Sequence, residues 1–141
     1  MTPSSNRVIL YYNGAISALT LFVQHPDAGV CTPCPLPLLS EILEADAEDM
    51  DYAAAVDSVS AIGKAMGLPE GLLQAHADYR ERVKTPDGVI TVYLAGFKML
   101  DPPHQLMADK DCKFRTLTEL RNRPPAEMEL LRRAYVLVME S

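Results

Sequence analysis

The 141-residue chain has no tryptophan, only three cysteines and no long apolar run. So few cysteines exclude a small scaffold held together by disulfides. The best candidate for a membrane helix, Ala15 to Val23, falls short of the roughly 18 apolar residues that a bilayer requires. Met1 to Asn6 is short and polar and shows no signal peptide. We therefore expect a soluble, cytoplasmic protein that does not bind membranes, and the odd number of cysteines agrees with a reducing compartment.

Basic side chains are also scarce in the first part of the chain. Before Lys64 the only one is Arg7, and the whole chain has a net charge of −6. Because nucleic-acid affinity comes largely from lysine and arginine contacts to phosphates, this balance disfavours a nucleic-acid partner. What the chain does have is an ordinary apolar content of 48% in a length typical of one domain. We predict a single domain over residues 1–141.

Strand-like segments occur near the start of the chain and again after residue 88. Arg7 to Tyr12 and Ala15 to Val23 flank Asn13-Gly14, a dipeptide that tolerates positive φ, so an antiparallel hairpin is expected there. Val89 to Phe97 is rich in β-branched and aromatic residues and predicts a central strand. Cys112 to Thr118 alternates loosely between apolar and polar residues and predicts one further strand.

Apolar residues at helical spacing predict four helices. Two follow the hairpin, one from Leu38 and one over Asp51 to Met66 with Gly67 as its C-terminal cap. A third runs from Pro69 to Val83, and Pro124-Pro125 begins the closing helix. The order β-β-α-α-α-β-β-α is not a regular β/α alternation. It predicts an α+β domain, with about four helices on one face of a small mixed or antiparallel sheet made from the N-terminal hairpin plus two later strands.

Cys31-Thr32-Pro33-Cys34 is the one short motif with a mechanism behind it. Two thiols at this spacing can close a disulfide, and a helix N-terminus beside them favours the attacking thiolate. With a strand predicted before it and a helix after it, the segment looks like a thioredoxin-type active site. The resemblance implies a thiol-disulfide oxidoreductase in which Cys31 attacks and Cys34 resolves. Pro35 and Pro37, which follow at once, depart from that pattern.

A metal site is a further hypothesis for the same cysteines. Zinc takes four nitrogen or sulfur ligands. Cys31, Cys34 and Cys112 are sufficient in number when either His104 or His25 joins them. The set lacks a second closely spaced pair of ligands, which distinguishes it from the paired C-x-x-C motifs of zinc-binding domains.

The chain contains no complete catalytic signature: G-x-S-x-G, H-E-x-x-H, Walker A and G-x-G-x-x-G sequences are all absent. His76, on the apolar stripe of the predicted third helix, suits a core position. An acidic run from Glu41 to Asp57 and a basic segment from Lys110 to Arg133 suit solvated faces or pairing within the chain, and contact with a protein partner is the alternative. The leading hypothesis is therefore a small accessory or protein-interaction domain without catalysis or cofactor of its own. The redox protein and the structural metal site are its alternatives, and the oligomeric state is left open.

Overall fold

A computed structural model describes residues 6–14, 19–32, 34–37, 39–44, 52–86, 88–99 and 102–140. These residues form strands, helices and one turn of 3-10 helix at Thr118–Leu120. The helices are α1 (Tyr52–Ala65), α2 (His104–Ala108) and α3 (Pro125–Glu140). The strands are β1 (Asn6–Asn13), β2 (Thr20–Gln24), β3 (Cys31–Thr32), β4 (Glu41–Leu43), β5 (Leu73–Thr85), β6 (Gly88–Phe97) and β7 (Lys113–Arg115).

All seven strands belong to one mixed sheet, whose centre is the parallel pair β1 and β6. Val8 lies opposite Tyr93 and Leu10 lies opposite Ala95 across this pair. Both strands are nearly continuous apolar runs, as expected where both faces of a sheet are covered. β5 runs antiparallel to β6, and β2 and β3 run antiparallel to β1. The strand order is β4-β5-β6-β1-β2-β7, with β3 also beside β1.

The two long helices cover opposite faces of this sheet. Val8 and Leu10 of β1 point into one cluster of buried side chains together with Val59 of α1. Ile9, between them, points into a second cluster together with Leu131 of α3. Successive side chains of a strand alternate between faces, so the central strands support both clusters at once.

The predicted small sheet with about four helices on one face is wrong. Within the described residues the sheet has seven strands, and there are three α-helices, of which α2 is a single short turn. The helix predicted from Leu38 is replaced by β4, and the helix predicted over Pro69 to Val83 is replaced by β5. The order of elements changes accordingly, and α1 and α3 lie on different faces.

A bulge in β5 explains why that strand resembles a helix in sequence. Ala75 lies opposite Ala95, whereas Arg80 lies opposite Tyr93, so five residues of β5 span two residues of β6. The additional residues break the period of two that identifies a strand. Apolar residues on either side of the bulge then fall at a spacing that matches a helix instead.

Several other predictions are confirmed. β1 and β2 form the hairpin, although Asn13 pairs with Thr20 and the loop is therefore longer than a two-residue turn. α1 is followed by Gly67 with a φ of 70°, β6 is the central strand, and α3 begins at Pro125. The strand predicted over Cys112 to Thr118 shortens to β7. No helix in the described ranges is long and apolar enough to cross a bilayer, while the cytoplasmic location and the single domain stay predictions.

Glu127 attaches the start of α3 to the segment that precedes β3. Its carboxylate accepts hydrogen bonds from the backbone N–H of Val30 at 2.9 Å and from the Arg123 guanidinium at 3.0 and 3.1 Å. Only 3% of Glu127 is exposed. Because a buried carboxylate is tolerated only when it is paired and hydrogen-bonded, these contacts fix the position of α3 against the sheet.

We expect Glu127→Ala to lower the free energy of unfolding by about 3 kcal/mol, because it leaves a buried N–H and a guanidinium without their partner. Chemical denaturation followed by circular dichroism measures the change. Glu129→Ala, in the same helix but with more exposed ion pairs to Arg132 and Arg133, is the control and should cost less, at about 1 kcal/mol. Equal losses in the two variants would contradict the role assigned to Glu127.

Candidate functional site

A cleft of about 550 Å³ lies between α1, the loop that follows it and the first part of β5. Tyr52 and Val56 lie one turn apart on α1 and form part of the wall of this cleft. They are 42% and 41% exposed. Large side chains left exposed in a concave site are typical of ligand pockets. The lining residues are Tyr52, Val56, Val59, Ser60, Gly63, Lys64, Leu68, Pro69, Glu70, Gly71, Leu73, Gln74 and Ala75.

The end of α1 shapes one side of this cleft. The N–H of Gly67 donates to the carbonyl of Lys64 at 3.1 Å, and the N–H of Leu68 donates to the carbonyl of Gly63 at 2.9 Å. This pair of bonds with a left-handed glycine is the Schellman arrangement, which ends a helix and reverses the chain. The turn brings Pro69 and the residues after it back beside α1, where they line the cleft. Lys64, in the last turn of α1, lines the same cleft.

A second cavity of about 400 Å³ adjoins the first and shares Tyr52, Gln74 and Ala75 with it. Its lining is more polar, and it lies over the ends of β1, β5 and β6. We call the two cavities together the α1 cleft. The residues found only in the second cavity are Tyr11, Asn13, His76, Ala77, Asp78, Gly96, Phe97 and Lys98.

The β5 bulge places His76 and Asp78 in the second cavity. The N–H of Asp78 donates to Nδ1 of His76 at 3.1 Å. A neutral imidazole that accepts at Nδ1 carries its proton on Nε2, so this ring is a donor at Nε2. The core position predicted for His76 is wrong, because the residue is only half-buried and lies at a strand irregularity.

Gly96 allows the Tyr11 ring to lie against the sheet in the same cavity. A Cβ at position 96 would lie 2.8 Å from Cζ of Tyr11, closer than atoms can approach without a shift. Burial raises the pKa of Tyr11 above its usual value. The phenol therefore stays neutral near pH 7 and remains able to donate a hydrogen bond.

Carboxylates are few in the α1 cleft. Asp57 is the single acidic residue of α1, and it lines a different small cavity with Asn6 and Ser58. Glu70 and Asp78 are the acids of the two cavities. The described parts of the chain contain no group of three or more histidine, cysteine, aspartate or glutamate side chains that suits a metal ion. A resident divalent cation therefore does not fit these residues; Asp46, Glu48, Asp49 and Asp51 lie outside the described ranges.

The predicted redox pair is not arranged for thiol-disulfide exchange. Cys31 is buried in β3, whereas Cys34 is exposed in the loop after it, and both are free thiols. Burial raises the pKa of the Cys31 thiol far above its usual range, which opposes the thiolate that must attack. No helix begins among the described residues between Cys34 and Glu44, and Pro33 lies outside them. The prediction of a thiol-disulfide oxidoreductase is therefore corrected.

The predicted metal set is not brought together either. Cys112 Sγ lies 3.6 Å from Nδ1 of His25, and Cys31 lines the same cavity of about 460 Å³. Cys34 is outside that cavity, and His104 instead packs edge-on against Phe114 at 5.2 Å. The described residues contain no group of three or more suitable ligands, and the four-ligand site of Cys31, Cys34, His104 and Cys112 stays a prediction.

His25 and Cys112 form a buried pair that the sequence did not reveal, since 87 residues separate them. Burial lowers the pKa of His25, and the nearby carboxylates of Asp27 and Glu127 oppose this effect only partly. Burial likewise raises the pKa of Cys112. The pair is therefore a neutral imidazole beside a neutral thiol. Nε2 of His25 is buried without a hydrogen-bond partner among the described residues.

Arg133, at the end of the basic segment, is paired within the molecule. Arg133 on α3 bonds to Glu44 after β4 at 2.6 Å, to Glu81 in β5 at 2.8 Å and to Glu129 in its own helix at 2.9 Å. Multiple bonds to carboxylates stabilise a guanidinium, and they raise the pKa of Arg133 further. A protein partner for the acidic or basic residues stays a prediction.

Comparison with known proteins gives the fold but no family. No family model matches the chain, and no curated protein matches its sequence. A crystal structure of the Ap4A hydrolase of C. elegans matches with a TM-score of 0.53 and 17% sequence identity, over 94% of this chain and 96% of that one. An accessory domain without catalysis was predicted because short catalytic motifs are absent. The likeness over nearly the whole chain to a structure described as a hydrolase contradicts that prediction.

The exposure of the three cysteines predicts their reactivity. We expect Cys34 to react rapidly with a soluble thiol reagent in the native protein, whereas buried Cys31 and Cys112 react only as the structure opens. Absorbance of the released thiolate gives the rate of each phase, and peptide mass mapping assigns the sites. Cys34→Ser should remove the fast phase. A disulfide between Cys31 and Cys34 in oxidised protein would contradict the assignment.

The lowered pKa of His25 predicts a loss of stability in mild acid. Between the unfolded value near 6.5 and the lower folded value, the unfolded chain binds more protons. The contribution of His25 to the free energy of unfolding should therefore be complete above about pH 6.5. The free energy of unfolding should then fall as the pH drops through this window. Denaturation at a series of pH values tests this, and His25→Asn should flatten the dependence. An NMR titration midpoint for His25 at or above 6.5 would refute it.

Proposed function

We propose that the protein binds a nucleoside phosphate compound in the α1 cleft and hydrolyses it. The observation that carries the binding is the cleft itself, in which an exposed aromatic and apolar wall adjoins a polar cavity. The hydrolytic step is supported by the fold, which matches a structure described as an Ap4A hydrolase. The two supports are separate, so binding and hydrolysis are tested by separate measurements.

The first cavity suits a flat ring system. Tyr52 presents its ring beside the aliphatic side chain of Val56, and Leu68 and Leu73 complete an apolar surface. Base stacking on an aromatic side chain contributes roughly 1–3 kcal/mol. The Tyr52 hydroxyl donates to the carbonyl of Ala75 at 3.4 Å, a bond that favours one position of the ring across the cleft.

The second cavity suits the polar part of such a ligand. Asn13 and Gln74 carry amide groups that can both donate and accept, and His76 offers its Nε2 proton. Lys98 is the cation of this cavity, and it follows directly after β6. Sugar hydroxyls and phosphate oxygens are the groups that these side chains bind. The base of a nucleotide thus matches the first cavity, and its sugar and phosphates match the second.

Calorimetric titration with adenosine, ATP and Ap4A tests the binding. Incubation of the same compounds with Mg²⁺, followed by anion-exchange separation of the products, tests hydrolysis. We expect the phosphate compounds to bind and to be cleaved at a phosphoanhydride bond. Absence of binding by all three compounds would overturn the proposal for the cleft. Binding without cleavage would overturn the hydrolytic part alone.

Substitution at Tyr52 is expected to separate stacking from hydrogen bonding. Tyr52→Ala should weaken binding about tenfold, because it removes the ring on which the base lies. Tyr52→Phe keeps the ring and should bind nearly as the wild type does. Tyr135→Ala on α3 removes a tyrosine of comparable exposure that lies outside the cleft, and it should have no effect. Equal affinities for wild type and Tyr52→Ala would contradict this assignment.

A further inference from the structure

The charges of the α1 cleft differ from those of a site built around a divalent cation. Magnesium in nucleotide sites is held by one or two protein carboxylates together with substrate phosphates, and sites with a resident ion gather several such ligands. The one acid of α1, Asp57, lines another cavity, and Glu70 and Asp78 lie in different cavities of the cleft. The described residues hold no cluster of three metal ligands.

Each cavity instead contains one lysine. Lys64 lies in the last turn of α1 and lines the first cavity, and Lys98 lines the second. Both side chains are exposed, and neither is in an ion pair with another of the described residues. Tyr52 and Gln74 line both cavities, so the two lysines line adjoining parts of one cleft.

We infer that Lys64 and Lys98 bind the phosphates of the ligand in place of a protein-bound divalent cation. This inference rests on the proposed function and specifies how the anionic part is held. An ammonium group binds phosphate as a point charge and needs no metal between the two. Any magnesium used in cleavage then enters the cleft on the nucleotide, whose own phosphates are its ligands.

The test measures the affinity for Ap4A, and for adenosine as the uncharged probe, in buffers that contain either Mg²⁺ or EDTA. Ap4A should bind in EDTA within about twofold of its affinity in Mg²⁺. Lys64→Gln and Lys98→Gln should each weaken Ap4A binding about tenfold, as expected for loss of one charge-assisted contact. Neither variant should change the affinity for adenosine. Lys84→Gln, an exposed lysine at the far end of β5, is the control.

The acidic run before α1 needs its own variant, because its residues lie outside the described ranges. A chain with Asp46→Asn, Glu48→Gln, Asp49→Asn and Asp51→Asn should keep its affinity for Ap4A in both buffers. Binding that disappears in EDTA and depends on these acids would overturn the inference while leaving the proposed function intact. Failure of Ap4A and adenosine to bind in either buffer would overturn the proposed function itself.

Discussion

The parallel pairing of β1 with β6 is the constraint on which the rest of the structure depends. Both strands carry apolar side chains on both faces, so the sheet is stable only when each face is covered. α1 covers one face and α3 covers the other. Once Val59 and its neighbours on α1 are fixed against the sheet, Tyr52 and Val56 remain outside the contact and line the cleft. The candidate site is thus a consequence of how the core is covered.

Two local irregularities then give the cleft its chemistry. The glycine cap after α1 turns the chain back towards β5 and places Lys64 at the rim. The bulge in β5 rotates a short segment out of the regular ladder and places His76 in the adjoining cavity. Bulges and caps of this kind are common beside functional sites, because they direct polar groups without disturbing the sheet. Neither feature requires a recognisable sequence motif. This explains why no catalytic signature marks the site in the sequence.

The cysteines show why spacing alone does not predict chemistry. Cys31 and Cys34 stand in a redox-like motif, but β3 draws the first thiol into the core and the loop leaves the second in solvent. The contact that does form, between His25 and Cys112, joins the end of β2 to the segment before β7. Burial keeps both groups neutral, since charged forms are costly away from water. The reactivity of a thiol therefore depends on its environment in the fold.

The sequence by itself determined the elements whose signals are local. The first hairpin, α1 with its Gly67 cap, β6 and the proline at the start of α3 follow from turn residues, hydrophobic period and capping chemistry. Tertiary structure alone decided that β5 is a strand, because its bulge hides the alternation and the extended chain is stabilised by pairing with β6 and β4. It also decided the cleft, since Tyr11, Tyr52 and His76 come from three separate elements and Lys98 follows a fourth, β6. Contacts between distant segments depend on strand order and register, and these are set by burial of the whole sheet rather than by any short pattern.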